Sequence, residues 1–111
     1  MTLGDFASLL KGFKQVQQQL AEVRERLESQ EVEGRSGGGM VVARVNGRGE
    51  LLTVRIEPDV IDPGHKEFLE DLVCAAVRQA AEKSHELAQQ EMGKVLGGLG
   101  IPGIENVVNM F

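Results

Sequence analysis

The residues of this chain that could do chemistry are two histidines, one cysteine, a few serines and many carboxylates, and their spacing assembles no familiar centre. His65 and His85 lie 20 residues apart, too far for local spacing to bring them to one metal ion. Cys74 has no second cysteine to pair with, so a disulfide framework and a cysteine-based zinc knuckle are both excluded. It sits among Leu72, Val73, Ala76 and Val77, where a small apolar residue is expected to be buried as packing. Glu70 and Asp71 are neighbours on a predicted helix and point in different directions, which suits solvated charge and not a general acid–base pair. Ser36 and Ser84 have no obvious base to activate them. Ser36-Gly37-Gly38-Gly39 resembles a phosphate cradle superficially, but a Walker loop ends in Gly-Lys-Ser/Thr and opens a helix. Here the glycines lead into a strand with no lysine behind them. They read as a flexible entry to a hairpin, whose bare N–H groups could at most touch a phosphate. No enzyme activity, metal or cofactor is expected.

The basic side chains are the remaining candidates. Twelve Lys and Arg against 17 Asp and Glu give a net charge of −5. Residues 1–56 hold eight basic and seven acidic residues, or +1; residues 57–111 hold four and ten, or −6. An anionic partner is therefore expected to meet the first half. Lys11 and Lys14 lie three apart on the outer face of a first helix, and Arg35, Arg44, Arg48 and Arg55 fall on strands and turns. Arg24 and Arg26 interleave with Glu22, Glu25 and Glu28 and read as a solvated ionic lattice. Chance explains the basic residues about as well as a patch does, so charge alone does not point to a nucleic acid. Trp and Tyr are absent and the four Phe lie outside the predicted strands, so bases are not expected to stack on a sheet.

The elements that must position these residues are legible from periodicity. Phe6, Leu9, Phe13, Val16, Leu20, Val23 and Leu27 follow at alternating spacings of three and four, an a/d seam that predicts one helix over 5–30. Thr2 or Asp5 can cap it. The segment from Val32 to Gly39 breaks the helix, starting as a short first strand and then becoming flexible. Met40 to Asn46 and Leu51 to Glu57 alternate with period two and predict a hairpin. Val41, Ala43 and Val45 share one face, as do Leu52, Val54 and Ile56, and keeping both faces together requires odd residues to oppose even ones. The opposite face then carries Arg44, Asn46, Thr53 and Arg55, with Met40, Val42 and Leu51. Asn46-Gly47 is a strong hairpin signal in the turn to Glu50. Asp62-Pro63 opens a second long helix with a cap residue and a proline at the first helical position. Its stripe runs from Leu69 through Ala76, Ala80 and Ser84 to Val95 and is small in the middle, so the helix can lie close to a sheet.

The expected architecture is α+β: a long helix, a three-stranded antiparallel sheet made of a short strand and a hairpin, and a long helix. Residues 1–96 form a single domain and 97–111 a flexible C-terminal tail. A helix of about 26 residues is about 39 Å long, against a radius of gyration of about 13 Å for such a domain. It should project beyond its sheet, and a second copy is the simplest cover for its seam. Phe13, Val16, Leu20, Val23 and Leu27 are the expected dimer interface. The N-terminus has no signal-peptide pattern and no stretch approaches the roughly 20 apolar residues of a membrane span, so a cytoplasmic location is expected.

Taken in order, these residues resemble the YbaB/EbfC family of bacterial nucleoid-associated proteins. The resemblance starts in Leu10-Lys11-Gly12-Phe13-Lys14-Gln15-Val16-Gln17-Gln18-Gln19-Leu20 and continues through Glu33-Gly34-Arg35-Ser36-Gly37-Gly38-Gly39-Met40-Val41, Asn46-Gly47 and Ile56-Glu57-Pro58. Its most specific part is Leu69-Glu70-Asp71-Leu72-Val73 with Ala75-Ala76-Val77 and Ala80, and Gly100-Ile101-Pro102-Gly103 is similar to family tails. The resemblance implies an α–β–β–β–α fold and a homodimer with projecting helices. It also implies binding of double-stranded DNA that alters its conformation, in nucleoid organisation, gene regulation or DNA protection. It implies no enzyme activity and no cofactor, and it supplies no residue-level DNA site. Phosphate contacts are therefore expected, on charge, from Lys11, Lys14, Arg35, Arg44, Arg48 and Arg55, doubled by symmetry. No membrane or small-molecule partner is expected. The alternative is a protein-interaction module using the seam of the first helix or the apolar tail that includes Met110-Phe111.

Overall fold

The computed structural model describes residues 2–98. Thr2 and Asp5 begin the first helix, α1 (Leu3–Ser29), by a reciprocal exchange. The Asp5 amide donates to the Thr2 hydroxyl at 3.2 Å and the Thr2 amide donates to the Asp5 carboxylate at 3.2 Å, which satisfies two amides a helix start leaves unpaired. Three strands follow, β1 (Glu31–Ser36), β2 (Val41–Asn46) and β3 (Leu51–Ile56), and then α2 (Lys66–Gly97). The sheet is antiparallel in the order β1-β2-β3. The described chain forms two compact units. Residues 27–88 make one; the start of α1 through Arg26, with the end of α2 from Gln89, makes the other.

In the 27–88 unit, Val41, Ala43 and Val45 of β2 are buried together with Ala76 and Ala80 of α2. Val32, Val54, Ile56, Leu69, Leu72, Val73 and Val77 pack around them. The approach of α2 to β1 is set by Gly34. A Cβ there would lie 2.0 Å from the Ala76 carbonyl oxygen and 2.5 Å from the Ala80 amide nitrogen. The small stripe of α2 thus meets a strand residue with no side chain at all.

The register follows the expected parity, with Val41 opposite Ile56, Ala43 opposite Val54 and Arg44 opposite Thr53. It then shifts between Arg44 and Val45, so that Val45 opposes Leu51. This irregularity corrects one expectation: Leu52 does not join Val54 and Ile56 in the core and is 44% exposed, because an extra residue breaks the alternation. Asn46 is also misplaced by simple alternation. It is buried and organises the turn. Its Oδ1 accepts from the amides of Arg48 and Glu50, both at 3.0 Å, and its carbonyl accepts the buried Ser84 hydroxyl at 2.8 Å. Gly47 is not the left-handed residue of the turn; Gly49 is, with φ 84°. Gly47 is needed for space, since a Cβ there would meet the Leu27 carbonyl oxygen at 2.7 Å. Its amide donates to the carbonyls of Leu27 and Gln30. Asn46→Ala strips acceptors from two turn amides and is expected to cost about 2–4 kcal/mol, read as a lower urea midpoint with unchanged slope.

Asp62 caps the entry to α2. Its carboxylate accepts from the Gly64 amide at 2.9 Å, and Pro63 opens a turn of 3-10 helix that runs into α2 at Lys66. The Gly64 hydrogen bond, and then that of His65, hold the Asp62 carboxyl below its ordinary value. Cys74, expected to be buried, is exposed. It lies two residues from Ala76, on the opposite side of the helix from the Ala76–Ala80 stripe.

In the other unit, Val23 and Glu91 are both buried. The Glu91 carboxylate takes Arg26 and Lys94 at 3.3 Å each. Arg26 therefore reaches α2 instead of belonging to a lattice of α1 glutamates alone. The N-terminal end of α1 leaves its apolar residues in solvent: Leu3, Phe6, Leu9, Leu10 and Phe13 are all exposed. Gly97 closes α2. The remainder of the expected tail, 99–111, lies outside the described residues.

Candidate nucleic-acid interface

Alternation places three of the candidate arginines on one surface. With Val41, Ala43 and Val45 turned to α2, the even residues of β2 form the other face of the sheet. The register sets Glu33 beside Arg44, and Arg35 and Arg55 on either side of Val42. Arg35, Arg44 and Arg55 therefore share the face away from α2, with Glu31, Glu33, Val42 and Thr53 between them. Strands two apart are separated by about 10 Å, which spreads the guanidinium groups across the sheet instead of stacking them.

Arg48 occupies the β2–β3 turn and belongs to the same unit. Lys11 and Lys14 are exposed on α1 in the other unit. The structure thus brings Arg35, Arg44 and Arg55 together, sets Arg48 at the turn of that sheet, and places the two lysines on a separate element.

The electrostatics of the face are not visible from the basic residues alone. Arg35 pairs with Glu33 at 2.9 Å, Arg44 pairs with Glu31, and Arg48 lies 3.6 Å from Glu28. Arg55 makes no ion pair among the described residues. The signal for the glutamates was present: Glu31, Glu33 and Arg35 recur with period two on one strand, so they share a face. Arg44 carries a further oddity, an Nε that is out of solvent and has no hydrogen-bond partner.

The entry to the face is the glycine run. Gly37, Gly38 and Gly39 all have left-handed backbones, with φ of 59°, 67° and 95°, a region that favours glycine. Ser36 is tied down, its hydroxyl donating to the Leu72 carbonyl at 2.6 Å. Ser84 likewise spends its hydroxyl on the Asn46 carbonyl. Neither serine is presented as a nucleophile. Among the described residues no cluster of His, Cys, Asp and Glu could hold a metal ion, and no helix is long and apolar enough to cross a membrane.

The expected dimer seam divides. Val23 and Leu27 are buried within the single chain, Val16 and Leu20 are half-buried, and Phe13 is 62% exposed.

The chain resembles known proteins along most of its length. Residues 3–99 match the sequence pattern of the YbaB/EbfC DNA-binding family. A nucleoid-associated protein of Clostridium perfringens is 46% identical over 102 residues, covering 92% of this chain and 91% of the relative. One from Syntrophobacter fumaroxidans is 48% identical over 92 residues, covering 83% and 84%. A crystal structure of a Helicobacter pylori protein, 23% identical, superposes with a TM-score of 0.71 over 86% of this chain and 98% of that one, a likeness of fold.

Proposed function

The chain belongs to the YbaB/EbfC DNA-binding family, and from that premise we propose that it is a nucleoid-associated protein that binds double-stranded DNA as a homodimer and alters its conformation. The observation that carries the reading to residues is the face of Arg35, Arg44 and Arg55, gathered on the side of the sheet that α2 leaves free. Guanidinium groups on a sheet are suited to phosphate oxygens, and a face without aromatic side chains has no means of stacking bases. The proposed contact is with the phosphate backbone of the duplex, which positions a protein without reading sequence. Arg48 extends the face at its turn, and Lys11 and Lys14 supply further phosphate contacts from α1.

The exposed apolar residues of α1 support the homodimer. Of the five expected interface residues, Phe13, Val16 and Leu20 are still available to a second copy, while Val23 and Leu27 are occupied within the protomer. The same exposed run supports a second reading, in which α1 docks another protein. Capture of a specific partner that survives nuclease treatment would favour that reading.

The test is a titration of labelled random duplex with folded protein at about 50 and about 200 mM salt, with sedimentation to give the oligomeric state. Four to eight phosphate contacts give log K a slope of about −4 to −7 against log salt. Absence of binding at the lower salt by folded protein would overturn the proposal.

A further inference from the structure

We propose that Glu31 and Glu33, with Glu28 near the end of α1, are built-in competitors for DNA phosphate, which the duplex displaces from Arg44, Arg35 and Arg48 as it binds. This rests on the DNA-binding reading above and deepens it. Every candidate arginine on the sheet and turn except Arg55 already holds a carboxylate. A carboxylate and a phosphate present the same kind of paired oxygen acceptors to a guanidinium fork, so one can stand in for the other without a change in the arginine's chemistry.

The pairs are poised for exchange, not for structure. The side chains of Arg35 and Glu33 are 63% and 42% exposed, and those of Arg44 and Glu31 both 42%. Ion pairs this open are screened by water and contribute little to stability, so breaking them costs the fold little. Arg44 has an added reason to move. Its Nε is buried without a partner in the resting arrangement, and a swing of the side chain toward a phosphate would return that donor to solvent or to an oxygen. Arg55, with no ion pair among the described residues, is available from the start and makes the first contact. The paired arginines then follow one by one as phosphates come within reach.

Exchange leaves a mark on salt dependence. An arginine that binds phosphate from solution releases a condensed cation from the DNA. An arginine that must first leave a glutamate exposes a carboxylate that gathers a cation in turn, and the two partly cancel. The wild-type slope is then shallower than the number of phosphate contacts implies.

The experiment compares wild-type protein with Glu31→Gln/Glu33→Gln in titrations of a labelled random duplex between about 50 and about 200 mM salt. The double variant is expected to bind about two- to twentyfold more tightly at the lower salt, with a slope steeper by about 1 to 2. Glu22→Gln/Glu25→Gln changes the net charge equally at two residues of α1 that make no ion pair among the described residues, and is expected to give a much smaller gain. In an Arg35→Gln background the gain from Glu33→Gln is expected to vanish. An equal gain from the α1 control, or a gain that persists without Arg35, would overturn the competition. So would wild-type binding that the sheet variants do not tighten, and that result would leave the DNA-binding reading in place. Failure of both wild type and variants to bind, with circular dichroism showing them folded, would remove the DNA-binding reading and the competition with it.

Discussion

Gly34→Ala is expected to destabilise the protein by about 3 kcal/mol or more, the upper end of what added core methyls cost. For a domain near 100 residues that is a fall in melting temperature of about 12 °C or more. The reason is what the new methyl would strike. At Gly34 the nearest atoms are the Ala76 carbonyl oxygen and the Ala80 amide nitrogen, backbone of α2 at 2.0 and 2.5 Å, and backbone cannot rotate aside as a long side chain can. The helix would have to lift from β1, opening the packing at Ala76 and Ala80, both fully buried. Gly12→Ala is the internal comparison. Nothing lies within 4 Å of a Cβ there, and alanine in a helix interior is favoured over glycine by about 0.5–1 kcal/mol. One methyl should therefore lower the thermal midpoint and the other raise it. An unchanged midpoint for Gly34→Ala would mean that α2 does not rest on β1 as closely as described.

Replacing Arg35, Arg44 and Arg55 together with glutamine is expected to weaken binding to random duplex by about a hundredfold or more at about 100 mM salt, and to flatten the salt slope by about one for the phosphate held by Arg55 and by less for those held by Arg35 and Arg44, which give up a carboxylate to bind. In a homodimer the change removes six charges. The weakening should be the same for every DNA sequence tried, because phosphate contacts carry no sequence information. Lys11→Gln/Lys14→Gln should weaken binding less. If the triple variant, shown by circular dichroism to be folded, binds as tightly as wild type, the sheet face is not the site and the lysines of α1 become its first candidates.

Periodicity made the elements legible because each has one dominant cause. The seam of α1, the alternation of β2 and β3 and the Asp62-Pro63 entry to α2 are all local signals, and the structure places helices and strands close to where they predict. What escaped was set by tertiary contact. The apolar neighbours of Cys74 in sequence predict burial, yet two positions along the helix set it on the far side from Ala76. Gly34 and Gly47 carry no pattern of their own; their need for hydrogen in place of a side chain arises only when Ala76 and Leu27 come against them. The candidate site was half legible. Parity could place Arg44 and Arg55 on a common face, and charge could name Arg35 and Arg48. The carboxylates beside them do not show in a net charge, which sums over the chain and does not register that Glu31, Glu33 and Arg35 share one strand face.

The two margins of the sheet are not alike. Along β1 the Arg35 amide donates to Gln79 and the Glu33 carbonyl accepts from Lys83, so side chains of α2 occupy groups that another strand would need. No side chain among the described residues does the same for the backbone of β3. An unpaired strand edge invites further strands, and a sheet open on both margins could add copies without end. Among the described residues the margin of β3 is the open one, and two molecules joined along it by a two-fold axis would present to a third the margins of β1, where Gln79 and Lys83 already hold the backbone. Strand addition along β3 would therefore join two sheets and stop there, as far as the sheet margins themselves are concerned.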